Sequence, residues 1–222
     1  MNPLKSLLAA CVLLSGCNGV PTAFTQDPLS DQAFVVHSGG PLPLLLMGTA
    51  VQWNADYAVT VKHLPYLSGA EWQGKGDVQF FRHPASQSLP MWRQYVPGET
   101  LTAVGYNSLY MPIEGKGQAL PAMVRLDAHD GGVLYATHNG ATAKGMSGGP
   151  VMAADGEVVG INVAYLTAGD LPALKRADLA GQPRVSIFMP YKAINQEWQR
   201  FQGHHLASRK PAPVPVGAVA GI

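Results

Sequence analysis

The chain has 222 residues, 47% hydrophobic and 13% charged, and 15 Lys and Arg against 14 Asp and Glu leave a formal charge of +1. That length fits one domain able to bury a self-sufficient core. A near-neutral chain without a basic stripe argues against nucleic acid as a partner, and no run of roughly 20 apolar residues offers a membrane-spanning helix.

Taken in chain order, residues 1–16 read as an export signal. Lys5 is the positive start, Leu7 to Leu14 is a short apolar run, and Ser15-Gly16 supplies small residues before a cut. Leu14-Ser15-Gly16-Cys17 resembles a bacterial lipobox. The resemblance implies cleavage before Cys17, a diacylglycerol thioether on its sulfur, and a membrane partner reached through that lipid. An ordinary signal peptide with an incidental cysteine is the plainer reading. Asn18 stands where an Asp would imply retention at the inner membrane, so the expected location is the cell envelope, at the outer membrane. Cys11 and Cys17 are the two cysteines, so a lipidated chain has no internal disulfide and relies on its core. Loss of Lys5, the single charged residue of the signal, brings the formal charge to zero.

Residues 17–32 are polar and Pro-punctuated and are expected to form a lipidated tether. From 33 on, short apolar runs alternate with turn residues. Strands are expected at 33–37, 43–52, 57–62, 78–82, 100–105, 119–126, 132–137, 150–153, 157–165 and 184–189. Asp155-Gly156 between two Val-rich runs is a hairpin signal. Many short, closely spaced strands predict an antiparallel barrel or sandwich. One helix is expected at 190–202: Tyr191, Ile194, Trp198 and Phe201 make one apolar stripe, Pro190 suits its first position and Gly203 its stop. The folded domain is thus 33–203, and 204–222 is a Pro-rich tail without expected structure.

The sharpest motif is Gly145-Met146-Ser147-Gly148-Gly149-Pro150. A serine hydroxyl needs a base and a cradle for the oxyanion to act as a nucleophile. Glycines around it permit a backbone path that aims the Gly145 and Ser147 N–H groups at one point. Gly-x-Ser-x-Gly also describes the nucleophile elbow of α/β-hydrolases, but those need Asp and His after the Ser on a large parallel sheet. Only 75 residues follow Ser147, and they hold one expected helix. A base must therefore precede it. Asn54 to His63 reads as a turn and a strand ending in His63, on a barrel rim where a base is useful. Taken alone, such a histidine is more often structural. Asp77 could orient the imidazole, or serve turn chemistry after Gly74-Lys75-Gly76.

These blocks together resemble a trypsin-like, chymotrypsin-fold serine peptidase, nearest the HtrA/Deg branch. Gly48-Thr49-Ala50-Val51 through His63 resembles the approach to the catalytic His, and Asp77-Val78 the Asp block. Pro97 to Tyr106 resembles the opening of the second barrel. Thr142 to Pro150, with Asp155 to Asn162, resembles the Ser block and pocket strand, and Ile187-Phe188-Met189-Pro190 with its helix the terminal element. The resemblance implies an all-β fold of two six-stranded-type antiparallel barrels with a C-terminal helix. It implies His63, Asp77 and Ser147 as a triad, Gly145 and Ser147 as oxyanion donors, and a protein or peptide substrate. Ala141 would be the pocket floor and Val163, Ala164 and Tyr165 its wall, which predicts small or medium apolar residues before the cut.

Only 13 residues separate His63 from Asp77, so a first-barrel hairpin is expected to be missing, with Asp127 and Asp130 as substitutes for Asp77. The absence of a PDZ stretch after the helix predicts neither allosteric nor chaperone function of the HtrA kind. No cofactor or metal is expected, because no spaced Cys or His cluster stands in the sequence. Two other functions compete with a lipid-anchored endopeptidase: a protein-binding module with an impaired triad on the same fold, and an exported esterase.

Overall fold

The computed structural model describes residues 20–24, 32–39, 46–86, 88–126 and 131–208. Cys17, the signal, Asp127, Asp130 and the end of the tail lie outside them. Twelve strands and one long helix follow in order: β1 (Thr22–Ala23), β2 (Ala33–His37), β3 (Met47–Gln52), β4 (Tyr57–Thr60), β5 (Ala70–Gln73), β6 (Gln79–Arg82), β7 (Thr100–Tyr106), β8 (Pro112–Val124), β9 (Tyr135–His138), β10 (Pro150–Ala153), β11 (Val158–Thr167), β12 (Arg184–Pro190) and α1 (Tyr191–Ser208).

The strands form two antiparallel sheets. The first has the order β2-β3-β4-β6-β5. In the second, β8-β7-β10-β11-β12-β9 closes on itself through a β8–β9 pairing, a six-stranded barrel with β1 added outside β8. Val, Ile and Phe facing inward from both sheets explain why the halves stay together. One apolar cluster joins Val59, Val61 and Phe80 of the first to Ile161, Val163, Ile187 and Met189 of the second. Burial of such side chains contributes roughly 1.5–3 kcal/mol each.

Each of the ten expected runs carries a strand, with informative differences. Thr22–Ala23, inside the expected tether, pairs with Ile113 and Glu114 of β8. Asp155-Gly156 makes the expected hairpin: Gly156 takes φ +85°, and the Ala153 N–H bonds Glu157 O at 2.9 Å. Strand β5 is an addition. So is the first half of β8, where Gly115 and Gly117 let the 139–141 backbone approach; a Cβ on Gly115 would lie 1.7 Å from Ala141 O. Pro190 ends β12 rather than opening the helix, and α1 runs through Gly203 to Ser208. Its apolar stripe packs as expected, with the Trp198 ring 5.1 Å from both Tyr57 and Phe80. Ring contacts continue past Gly203, from His205 to Phe201 and from His204 to Trp72, which accounts for the longer helix.

Candidate active site

His63 follows β4 in a short turn, and Asp77 sits two residues before β6. Antiparallel pairing of β4 with β6, with Thr60 opposite Gln79, brings the two together. Asp77 receives two hydrogen bonds from His63: the backbone N–H reaches Oδ1 at 2.8 Å, and ring Nδ1 meets Oδ2 at 2.5 Å. This pairing leaves Nε2 as the ring nitrogen available for other chemistry. The imidazole is half exposed, whereas the carboxylate retains only 12% of its side-chain surface.

Two buried side chains hold this pair. The Gln79 amide donates to Val61 O at 2.8 Å and Leu64 O at 2.9 Å, clamping the turn that carries His63. The Tyr135 hydroxyl of β9 accepts the Asp77 N–H at 2.8 Å, so a barrel strand fixes the Asp backbone.

Ser147 lies in the turn before β10. Gly145 and Gly148 take φ of +94° and +84°, the left-handed region glycine alone enters cheaply. Space is as restrictive as conformation there: a Cβ on Gly148 would sit 2.1 Å from Thr49 O, and one on Gly145 2.3 Å from Tyr106 O. Carbonyls turn outward on both sides of the serine. Gly145 O accepts the Thr49 hydroxyl at 2.8 Å, and Ser147 O accepts the Thr49 N–H at 2.8 Å. Among the described residues the N–H groups of Gly145 and Ser147 have no protein acceptor. A pair of unclaimed amides in a carbonyl-averted loop is suited to an oxyanion.

Thr49 on β3 is therefore the bolt between the halves. Its hydroxyl also accepts the Tyr106 N–H at 3.1 Å, and its carbonyl accepts the Thr60 hydroxyl at 2.7 Å. Thr49, Gln79 and Tyr135 are the supporting residues that sequence reasoning missed. Only Thr49 left a signal, as the residue after Gly48 in a strand already singled out.

Ser147 borders a pocket of about 220 Å³, together with Thr142, Lys144, Asn162, Val163, Ala164 and Tyr165. His63 and Asp77 border an adjoining cleft of about 480 Å³ that shares Val163 and Ala164. The two groups thus flank the same stretch of β11. Among the described residues the Ser147 hydroxyl bonds Val163 O, at 3.5 Å, and the His63–Ser147 contact is open. The β11–β12 register slips between Asn162 and Ala164, which leaves Val163 out of the ladder. Ala141 is buried behind the pocket lining, against Gly115.

A closed barrel and a facing sheet with one terminal helix define the chymotrypsin-like fold, and comparison with solved structures agrees. The active form of the Rv3671c protease from M. tuberculosis superposes with a TM-score of 0.59 at 14% identity, over 90% of this chain and 94% of that one. The HtrA-type protease AlgW with tripeptide gives a TM-score of 0.61 at 16% identity, over 79% of this chain and 62% of that one. The serine endoprotease from Yersinia pestis gives 0.55 at 16% identity, over 78% and 63%. The chain thus spans nearly all of the Rv3671c protease chain and under two thirds of the other two. No protein-family model matches the sequence, and no curated protein does.

Proposed function

We propose that this protein is a serine endopeptidase of the cell envelope, in which Ser147 attacks a peptide carbonyl, His63 takes and returns the proton, and Asp77 holds the imidazole. The observation that carries the reading is the His63–Asp77 pair flanking the same strand as Ser147, whose own amide and that of Gly145 are unclaimed among the described residues. Hydrogen bonds between nucleophile and base are often long in a free enzyme and tighten with substrate. Here an extended substrate has a route to do this. Its backbone N–H pairs with Val163 O, which displaces the Ser147 hydroxyl toward His63 Nε2. The Gly145 and Ser147 amides receive the developing oxyanion, where one donor is worth about 2.7–4 kcal/mol.

The test is covalent labelling by a peptidyl phosphonate diester. Wild type should label, Ser147→Ala should not, and Asp77→Asn should react about 10⁴-fold more slowly, as the tautomer argument requires. Lack of wild-type labelling, beside a control peptidase that labels, would refute the enzyme and favour a binding module.

Anchoring by lipid on Cys17 at the outer membrane rests on Leu14-Ser15-Gly16-Cys17 followed by Asn18. Membrane fractionation tests it: Cys17→Ser should move the protein to the soluble fraction, and unchanged partitioning would reject the anchor.

A further inference from the structure

We infer that the cavity between the first half of α1 and the turn before β6 binds an apolar molecule with an anionic head group, a carboxylate or a phosphate. Neither Ser147 nor His63 lines it, so this site stands or falls apart from the peptidase reading.

The cavity holds about 570 Å³, a size that takes one small molecule. Segments far apart in the chain wall it: Lys75 from the turn before β6, Met123 from β8, Val133 and Leu134 ahead of β9, and Lys192 and Ala193 from the first turn of α1. Much of that wall is apolar and uncovered. Leu134 is exposed, and Met123, Val133 and Ala193 are half-buried. Covering such surface is favourable at roughly 25 cal/mol per Å².

Charge fixes the sign of the head group. Three cations line the cavity, Lys75, Lys192 and Arg200, against one acid, Glu197. Glu197 is spent, because it is buried and ion-paired with Arg200. Among the described residues Lys75 and Lys192 have no acidic partner, so two positive charges at one cavity stand unbalanced. Lys75 is also held to the wall. Gly131 takes φ +66°, and a Cβ there would lie 3.1 Å from Lys75 Cδ and 3.2 Å from Cγ. The absent side chain lets the Lys75 stem lie across the Gly131 backbone, with its charged end in the water at the rim.

A neutral apolar molecule leaves both ammonium groups unused, and a cationic one is repelled by them. A small anion forgoes the apolar walls. An apolar body with an anionic head uses both.

The test is isothermal titration of the full chain with octanoate, octyl phosphate, octanol, octyltrimethylammonium and acetate. At least one of the two eight-carbon anions should bind about tenfold more tightly than octanol, and the tighter of them names the head group. Octyltrimethylammonium should be the weakest eight-carbon probe, and acetate should not bind measurably. Lys75→Gln and Lys192→Gln change exposed side chains. Each should weaken the tighter anion about threefold, and both together about tenfold, the scale of exposed charge pairs. Lys116→Gln removes an equal charge from β8, away from the cavity, and should change nothing. Leu134→Ser should weaken octanol and the anion alike. Octanol or octyltrimethylammonium binding as tightly as the anions would overturn the inference. So would an equal loss in Lys116→Gln, or no binding at all, the result expected where another part of this chain already covers the walls.

Discussion

Thr49 is a small residue with a wide reach. Its hydroxyl and amide hold the carbonyls of Gly145 and Ser147, which pins the turn that carries the nucleophile at both ends. Thr49→Val keeps the shape and removes the hydroxyl, leaving the Tyr106 N–H and Gly145 O without their partner. Urea titration should show a loss of about 1–3 kcal/mol, the usual cost of orphaned buried groups. Phosphonate labelling should slow at least about tenfold, a barrier increase of ~1.4 kcal/mol. Thr49→Ser, which retains the hydroxyl, should recover most of the labelling rate, and a Val variant that labels like wild type would remove Thr49 from the site. The Ser147 turn was legible because its chemistry needs a serine and its backbone needs glycines, and both write themselves into neighbouring positions. Thr49 was not legible as a support. A threonine on a strand is ordinary, and its partner Gly145 lies 96 positions away. Gln79 and Tyr135 were hidden for the same reason, since they act on backbone groups far along the chain.

At the level of strands and helices, apolar runs announced what faces the core. They were silent where the backbone itself supplies the reason. Strand β5 is largely exposed, so nothing in its short sequence Ala70-Glu71-Trp72-Gln73 resembles a buried run. The opening of β8 alternates glycine with polar residues because the neighbouring 139–141 segment leaves no room for side chains. The expected stop at Gly203 failed because a glycine ends a helix only when packing ends there as well, and His204 and His205 continue the ring contacts. The short segment between His63 and Asp77, where a hairpin was expected to be missing, still holds one strand, β5, which pairs with β6 at the edge of the first sheet. Asp77 nevertheless reaches the imidazole, because β4 and β6 are direct neighbours.

Across the whole molecule, one shared core makes stability a joint property of both sheets, and His138 gives it a pH dependence. This residue ends β9 with no exposed surface, and burial pushes its pKa down from 6.5 to about 4. Between those values the unfolded chain binds a proton that the folded one refuses, so stability must fall as pH drops from about 6.5 toward 4. The full loss from this group is about 3 kcal/mol. His83, also pushed down by burial, adds to the same limb. Urea midpoints measured across that window should decline, and His138→Gln should flatten the decline. An equally steep limb in the variant would show that His138 is not its source.

The bulge at Val163 has a further consequence for the proposed peptidase. The Ser147 hydroxyl lies 3.5 Å from Val163 O, a carbonyl outside the ladder that an arriving strand would claim. A compact ester without an amide hydrogen has nothing to offer that carbonyl, whereas a docked polypeptide would pair with it. If the proposed peptidase reading holds, polypeptides should be favoured over small acyl compounds by one kink of the main chain.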